Sequence, residues 1–257
     1  DIPFSYIFSY PTVEKLSNAI YEILNGCLKA GLTSKELEME VKLDIDLKGK
    51  SVPIKKEVCL LTGATGNLGN YLLKEILRQT NMEIYCLIRA KSMEAAQDRL
   101  EGVLNKINMS LYEEARVHIV LGDLGEPNLG MDMDVYEKLS EKVDCIYHNG
   151  AKVHFLSDYY ELKNINVNGT KEIIRFAGYK KIKAIFYIST ISIFSKFRTN
   201  DNIIMENDDI SDPGILPIGY TQSKWVAEGL IWKAKECGIP VMVYRLGHVV
   251  GDSETGV

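Results

Sequence analysis

Residues 58 to 69 constrain the fold more than any other part of this chain. They read Val-Cys-Leu-Leu-Thr-Gly-Ala-Thr-Gly-Asn-Leu-Gly, so an apolar, strand-like segment leads into glycines 63, 66 and 69, and a helical pattern follows. In that order, strand, glycine turn and helix suit a dinucleotide pyrophosphate, because the glycines permit a tight turn, close phosphate approach and close helix packing. The helix N-terminus also favours an anion. The alternative is an ordinary strand–helix turn. The predicted cofactor-binding residues of this turn are Thr62, Gly63, Thr65, Gly66, Asn67, Leu68 and Gly69.

Strands and helices alternate from residue 58 onward. The strand candidates are short and nearly continuous in apolar residues, as expected for strands that are covered on both faces. They lie at 58–62, 84–88, 117–121, 143–148, 184–189 and 240–245. Helix candidates lie between them, at about 67–80, 92–107, 158–178 and 218–236. This alternation predicts an α/β fold with a doubly wound parallel sheet, a Rossmann fold, over residues 58–257.

Two segments precede that domain. Residues 1–25 predict a short helix that opens at Pro11-Thr12 and runs to about Leu24. Residues 26–57 are polar and rich in lysine and glutamate, which is typical of a linker. The alternation of Val41, Leu43, Ile45 and Leu47 predicts a strand or extended arm that lies on the next domain.

Composition excludes several classes of function. The 257 residues are 46% hydrophobic and 25% charged, as in ordinary globular proteins. A formal charge of −5 gives no reason to expect nucleic acid or membrane as a partner. Without an apolar run long enough to span a bilayer, the chain is expected not to enter a membrane. Five widely spaced cysteines, at 27, 59, 86, 145 and 237, favour reduced thiols in a cytoplasmic protein over disulfides or zinc, and we expect no metal.

Charged residues after the second and third strands bear on the choice of dinucleotide. Arg89 ends the second strand, where a carboxylate would favour NAD; an arginine there attracts a 2′-phosphate and predicts NADPH, with help from Lys91 or Arg99. A solvated strand-end arginine is the alternative. Asp123, followed by Leu124, ends the third strand, where its carboxylate can accept a hydrogen bond from adenine or serve as a cap or turn residue.

The fourth strand ends in small residues that suit a position beside the cofactor ribose: Asn149, Gly150 and Ala151. His148 and His154 flank them. Because no third ligand has suitable spacing, we interpret both histidines as structural residues.

The pattern Tyr-x-x-x-Lys occurs three times, beginning at Tyr159, Tyr179 and Tyr220, so the pattern alone decides nothing. Only Tyr220 follows the fifth strand, which ends in Ser189-Thr190, and opens a long amphipathic helix. A spacing of four places Tyr220 and Lys224 on one helix face, where the ammonium is expected to lower the tyrosine pKa from about 10. We predict that Tyr220 donates a proton to an oxyanion, that Thr190 hydrogen-bonds the same oxygen, and that Lys224 also holds the nicotinamide ribose.

Together these motifs resemble the extended short-chain dehydrogenase/reductase family. Further segments narrow the resemblance to the thioester reductase domains of nonribosomal peptide synthetases, some polyketide synthases, carboxylic acid reductases and aminoadipate reductases. These segments are Leu87–Ala90, His148–Val153, Asn166–Thr170, Tyr244–Gly247 and Gly251–Ser253. The resemblance covers about residues 40–257. It implies that Asn166 aligns with a structural asparagine that supports Lys224 and so belongs to the cofactor-binding residues. Asn67 and His154 depart from the residues usual in the family.

Residues Ile7 to Leu16 resemble the last helix of a peptidyl or acyl carrier domain, with an F-x-x-P-T-x-x-x-L pattern. The resemblance implies that an acyl or peptidyl thioester, carried on the phosphopantetheine of an upstream carrier domain, is reduced with NADPH to an aldehyde, and by a second hydride to an alcohol. It also implies that much of the substrate subdomain lies beyond Val257. Two alternatives stay open. One is an extended dehydrogenase or epimerase acting on nucleotide sugars or small carbonyls, and the other is a truncated, non-catalytic domain that docks a carrier or binds a dinucleotide.

Overall fold

The computed structural model describes residues 6–25, 32–45, 49–50, 57–110, 115–194, 203–208, 210–214, 216 and 218–251. Leu47 of the predicted arm and Cys27 lie outside the described residues, as do Asp252 and Ser253.

Six parallel strands form one sheet, so the predicted fold class is confirmed. They are β1 (Val58–Thr62), β2 (Glu83–Ile88), β3 (Val117–Leu121), β4 (Cys145–His148), β5 (Ala184–Thr190) and β6 (Val241–Leu246). Their spatial order is β3-β2-β1-β4-β5-β6, and every neighbouring pair is parallel. This is the doubly wound order, in which the order of strand addition reverses between β1 and β4, and dinucleotides bind at that switch point.

Nine α-helices occur among the described residues. They are α1 (Tyr6–Ser9), α2 (Val13–Leu24), α3 (Ser34–Glu40), α4 (Asn67–Gln79), α5 (Met93–Leu104), α6 (Met133–Lys142), α7 (Tyr159–Lys163), α8 (Gly169–Ala177) and α9 (Gly219–Glu236). The helix predicted over 158–178 is in fact α7 and α8, joined by a π-helical turn at Asn164–Asn168. No helix within the described ranges has the length and apolar character needed to cross a bilayer.

Three helices were not predicted, and the first of them is the short helix α1, which lies before the helix expected from Pro11 onward. Helix α3 lies inside the segment interpreted as a linker, and it begins with a capping box between Thr33 and Glu36. Helix α6 begins at the N-cap Asp132 and buries Tyr136 and Leu139. Its C-cap is Val143, which explains why β4 starts at Cys145 rather than at the predicted residue 143.

Apolar clusters cover both faces of the sheet. Alternate residues of a strand point to opposite faces, so Leu60 and Leu61 belong to different clusters. Leu61 packs with residues of α4 and α5, including Leu73 and Leu100. Leu60 packs on the other face, in a cluster that includes α6, α8 and α9. Coverage of both faces leaves the carboxyl ends of the strands as the open edge for a ligand.

Helix α9 is buried on nearly all sides from Thr221 to Ile231, so the prediction of an amphipathic helix is wrong. One reason is that residues before the sheet cover its outer side. Val41, Leu43 and Ile45 pack against the same apolar cluster as α9. At Gly229 the approach is so close that an added Cβ would lie 2.8 Å from Cγ1 of Val41.

Candidate active site

The three glycines after β1 meet three different requirements. Gly63 has φ +73°, and a Cβ there would lie 2.8 Å from the backbone nitrogen of Gly150. A Cβ on Gly69 would overlap the carbonyl oxygen of Gly63, so this glycine lets α4 pack on the turn. Gly66 is the exposed N-cap of α4, and its extended backbone is open to any residue. Its missing side chain therefore serves access to the helix N-terminus rather than folding.

A cavity of about 450 Å³ opens at this edge of the sheet. Nine of the predicted cofactor residues line it. They are Gly63, Thr65, Gly66, Arg89, Arg99, Asp123, Leu124, Gly150 and Ala151. Further lining residues that the sequence did not single out for this role include Leu87, Gly122, Lys152 and Ile165. The volume is that of an ordinary small-molecule site.

Other predicted cofactor residues, from the turn after β1 and from the loop after β4, lie outside the lining of this cavity. Thr62 is fully buried, and its hydroxyl accepts a hydrogen bond from Gly150 N–H at 2.8 Å. Asn149 donates to the Gly63 carbonyl at 3.2 Å. Leu68 lines a separate apolar groove between α4 and the sheet, together with Tyr147 and Tyr244. The first turn of α4 therefore directs the Leu68 side chain towards β4 and β6, away from the cavity, and cofactor binding by Leu68 stays a prediction.

Asn67 and Gly69 also lie outside the cavity lining, for different reasons. Asn67 is the exposed first residue of α4. Gly69 is buried against the turn, where it has a packing role. Neither residue lines the cavity, whereas Gly63, Thr65 and Gly66 of the same turn do, and cofactor binding by Asn67 and Gly69 stays a prediction.

Two arginines and an aspartate form one wall of the cavity. Nη1 of Arg89 lies 3.8 Å from Oδ2 of Asp123, and the Arg89 side chain is 63% exposed. Nη1 of Arg99 donates to the carbonyl of Arg89 at 2.9 Å. Oδ1 of Asp123 accepts from Gly125 N–H at 2.9 Å, so this residue is a turn residue and a cavity residue at once. The exposed guanidinium of Arg89 can turn towards an anion without giving up a strong bond.

Thr190, Tyr220 and Lys224 lie on β5 and α9, next to this edge. Thr190 is the last residue of β5 and half-buried, and its Oγ1 accepts from Ser192 N–H at 3.2 Å. Tyr220 lies in the first turn of α9, and its ring meets Phe155 edge-on at 5.5 Å between centroids. Phe155 belongs to the loop after β4, whose residues 150–152 line the cavity. Tyr220 and the cofactor cavity thus share one loop.

Lys224 is buried beneath this surface. Its Nζ donates to the carbonyl of Ile188 at 2.7 Å and lies 4.2 Å from the centre of the Tyr187 ring. Burial lowers the pKa of Lys224 to about 7, and the nearby Glu228 carboxylate opposes that change. Burial likewise raises the pKa of Tyr220. The expectation that Lys224 lowers the Tyr220 pKa is therefore wrong, since loss of hydration on burial raises it.

Asn166 connects the cofactor loop to α9. It sits, buried, in the π-helical turn between α7 and α8. Its Oδ1 accepts from Lys152 N–H at 2.7 Å, and its Nδ2 donates to the Lys152 carbonyl at 3.0 Å and to Oγ of Ser223 at 2.9 Å. Ser223 immediately precedes Lys224. Asn166 is therefore bonded to the backbone of a cavity residue and reaches the α9 helix through Ser223.

The two other Tyr-x-x-x-Lys copies lie away from the cavity. Lys163 pairs with Glu40 at 2.8 Å, and the Tyr179 hydroxyl donates to Glu137. Lys183 is buried, and its Nζ donates to the carbonyls of Tyr179 and Lys181. Position in the fold, rather than the motif, separates Tyr220 from these copies.

A buried carboxylate holds the site edge together, and sequence reasoning missed it. Oε1 of Glu228 in α9 accepts from Arg245 Nη2 at 2.7 Å, and Oε2 accepts from Ser189 Oγ at 2.5 Å. These bonds tie α9 to the ends of β5 and β6, next to Thr190. The only available signal was the distance of four residues between Lys224 and Glu228, which places both on one helix face. Within the described residues, metal-ligating side chains do not gather in groups of three or more that could hold an ion.

We expect the free energy of unfolding to rise by about 1 kcal/mol per buried lysine between pH 7 and pH 8. Burial lowers the pKa of both Lys183 and Lys224 to about 7, whereas an unfolded lysine keeps its proton to about pH 10.4. The unfolded chain therefore binds more protons in this interval, and a higher pH favours the folded state. Urea unfolding at both pH values measures the change. Lys183→Met should remove about half of the total increase in the free energy of unfolding. An increase as large as that of the wild type in this variant would contradict the prediction.

The strand order, the glycine turn and the position of Tyr220 and Lys224 define a Rossmann domain of the short-chain dehydrogenase/reductase type. A family model described as male sterility protein, an NAD-binding family, matches residues 61–257, and the chain belongs to this family.

Individual relatives are found among peptide synthetases. The chain is 40% identical over 271 residues to a component of the linear gramicidin synthase of Brevibacillus parabrevis, an alignment that covers 100% of this chain and 5% of that protein. The crystal structure of the terminal R domain from the myxalamid PKS-NRPS biosynthetic pathway superimposes with a TM-score of 0.80 and 39% identity, over 86% of this chain and 57% of that one. A thiolation-reductase di-domain from an archaeal nonribosomal peptide synthetase gives a TM-score of 0.70 and 25% identity, over 97% of this chain and 54% of that one. The chain thus spans only part of each relative.

Proposed function

We propose that this chain is the cofactor-binding part of a reductase that releases a carrier-bound acyl or peptidyl thioester as an aldehyde, with NADPH as the reductant. One observation carries the proposal. The loop after β4 lines the dinucleotide cavity with Gly150 and Lys152, and it contacts the ring of Tyr220 through Phe155. A proton donor and a dinucleotide cavity that share a loop suit hydride transfer coupled to protonation. The similarity to terminal reductase domains supports the same activity.

The residues that line the cavity fit a dinucleotide. A Cβ at Gly63 or Gly150 would fill the space where the turn and the loop meet, and Gly66 leaves the α4 N-terminus open for pyrophosphate. Asp123 and Leu124 would hold the adenine, and Arg89 a 2′-phosphate. When bound, NADPH would supply a hydride to the thioester carbonyl carbon.

The chain's own residues would manage the proton and the oxygen. Because burial raises its pKa, Tyr220 is a neutral phenol at physiological pH and can donate its proton to the developing oxyanion. Thr190, half-buried at the end of β5, would donate a hydrogen bond to the same oxygen. Lys224 would hold the nicotinamide ribose and restore the proton to Tyr220. The resulting hemithioacetal loses the carrier thiol and leaves an aldehyde, and a second hydride would give the alcohol.

The partner we propose is an upstream carrier domain bearing phosphopantetheine. Helix α2 begins after Thr12, whose hydroxyl accepts from Lys15 N–H at 3.2 Å, within the carrier-like segment. The alignment with a thiolation-reductase di-domain over 97% of this chain supports an arrangement in which carrier and reductase are neighbours. That residues 1–25 are the end of such a carrier domain stays a prediction.

The direct test measures NADPH oxidation by the full-length parent protein. An acyl-loaded carrier domain is added, and aldehyde is trapped and quantified beside the loss of NADPH absorbance. We expect one NADPH consumed per aldehyde formed, or two per alcohol, and no turnover with the unloaded carrier. Activity on nucleotide sugars without activity on the loaded carrier would contradict the proposal and favour the epimerase alternative. Binding of NADPH without any turnover would favour a non-catalytic domain.

Replacement of Arg89 tests the choice of cofactor. We expect Arg89→Ala to weaken NADPH binding about 10-fold to 100-fold and to leave NADH binding unchanged, because a charge-assisted bond to phosphate is lost. Isothermal titration with both dinucleotides measures the two dissociation constants. Arg78→Ala is the matched control, since Arg78 is an exposed arginine of α4 outside the cavity lining. An unchanged preference in Arg89→Ala would remove this role.

A further inference from the structure

His148 lies at the centre of a buried chain of hydrogen bonds, and it has no chemical part in the proposed reduction. It is the last residue of β4 and only 2% exposed. Its Nδ1 lies 2.9 Å from Thr62 Oγ1, at the end of β1, and its Nε2 lies 3.1 Å from Thr170 Oγ1 in α8. Both ring nitrogens therefore have a partner, on opposite sides of the ring.

The direction of each bond follows from a count of protons. Thr170 donates its single hydroxyl proton to the Asn166 carbonyl at 2.6 Å, because a carbonyl can only accept. His148 Nε2 must therefore carry the proton that Thr170 Oγ1 accepts. Burial, with help from the Lys224 charge, lowers the pKa of His148 to about 3, so the ring is neutral and Nδ1 is an acceptor. Thr62 then donates to Nδ1, and its oxygen accepts from Gly150 N–H at 2.8 Å.

This chain of bonds joins the two points at which the cofactor loop is held. Gly150 is held by Thr62, and Lys152 is held by the side chain of Asn166. Both residues line the dinucleotide cavity. The backbone carbonyl of Asn166 is one end of the chain, and Gly150 N–H is the other. Since Asn166 also bonds Ser223 of α9, the same network reaches the helix that carries Tyr220 and Lys224.

We propose that His148 is a positioning residue for the dinucleotide, which as a neutral Nε2–H tautomer sets the loop from Gly150 to Lys152 against the α9 helix. The inference rests on the proposed function, since it takes the cavity to be the dinucleotide site. The two hydrogen bonds of the His148 ring have different structural effects. The bond from Thr62 orients the hydroxyl that anchors Gly150, whereas the bond to Thr170 fixes the ring.

Two conservative variants separate these bonds. In His148→Asn the amide oxygen takes the place of Nδ1 and accepts from Thr62. In His148→Gln the amide nitrogen reaches the place of Nε2 and donates to Thr170, but no acceptor faces Thr62. His148→Leu removes both bonds. His118→Leu is the matched control, because His118 lies on β3, outside the cavity lining, and bonds to Glu83 at 3.1 Å.

The measurements are the dissociation constant of NADPH and the thermal midpoint of the full chain for all five proteins, with binding measured well below every midpoint. We expect NADPH binding to be near wild type in His148→Asn and His118→Leu, weaker in His148→Gln, and about 10-fold weaker or more in His148→Leu. If His148 had only a structural role, its variants would have lower thermal midpoints, but their NADPH dissociation constants would not follow this order.

The outcomes separate the two proposals. Wild-type affinity in folded His148→Gln and His148→Leu overturns the role of His148 while the cofactor site stands. If His148→Leu does not fold, the NADPH dissociation constants of His148→Asn and His148→Gln are compared instead. Equal dissociation constants in these two variants overturn the proposal. A wild-type protein that binds neither NADPH nor NADH contradicts the proposed function, and the positioning role falls with it.

Discussion

Tyr220→Phe should lower kcat for NADPH-dependent reduction of the carrier-bound thioester by about 10²-fold to 10⁴-fold, the range for loss of a general acid. Only the hydroxyl is removed, so the edge-on packing against Phe155 is retained. The dissociation constant of NADPH should stay within about a factor of two, because the proposed cofactor contacts lie on other residues. A lower kcat with an unchanged KM is the signature of a group that acts only in the transition state. Single-turnover experiments measure whether the chemical step itself is slower.

The matched control for this variant is Tyr179→Phe. Tyr179 heads a Tyr-x-x-x-Lys motif as Tyr220 does, but its hydroxyl donates to Glu137, and it precedes β5 at the opposite edge of the sheet. We expect Tyr179→Phe to leave kcat unchanged and to lower stability only slightly. If Tyr220→Phe retained more than half of the wild-type rate, another group would have to donate the proton, and the proposed mechanism would fail.

Local backbone requirements made the cofactor cavity predictable. The glycines at 63, 66 and 69 reflect conformations and approaches that the sequence displays directly, and the cavity wall they predicted is present in the structure. Arg89 and Asp123 were placed from strand ends alone, since carboxyl ends of parallel strands meet at one edge. These two residues could be placed together although they are far apart in sequence, because the topology brings the ends of parallel strands to one edge.

Burial was not predictable in the same way. The sequence of α9 alternates polar and apolar residues, so an exposed face was expected, but the segment around Val41 covers that face. The same burial reverses the expected direction of the Tyr220 pKa. Charges along one helix are visible in the sequence, whereas the loss of water around them depends on chain segments far away.

The hydrogen bonds of His148 were hidden for a related reason. Thr62 is 86 residues from His148 in sequence, and Thr170 is 22 residues away. The absence of metal-ligand spacing led to the interpretation of His148 as structural, and spacing carries no information about which hydroxyls meet a ring in the fold. Helix α6 was missed because it is short and mostly polar, with a capping residue as its main signal.

Gly69→Ala should lower the free energy of unfolding by at least about 3 kcal/mol, an effect at the upper end for an overpacked site. The added Cβ would overlap the carbonyl oxygen of Gly63. That oxygen belongs to the backbone of a tight turn with φ +73°, so it cannot move away as a flexible side chain would. Either α4 shifts away from the sheet or the turn opens, and both expose the apolar cluster around Leu73. Urea unfolding at fixed pH measures the loss.

Two other glycines serve as controls for Gly69→Ala. Gly102 is exposed within α5, and a Cβ there meets nothing within 4 Å, so Gly102→Ala should stabilise the protein by about 0.5 to 1 kcal/mol. Gly66→Ala meets only the Gly63 oxygen, at 3.3 Å, and should change stability little while weakening NADPH binding, because its methyl group enters the cavity. The three single variants would thus distinguish a glycine needed for packing, a glycine needed for phosphate access and a glycine that the fold does not need. Equal stability of Gly69→Ala and Gly102→Ala would show that α4 does not need this close approach.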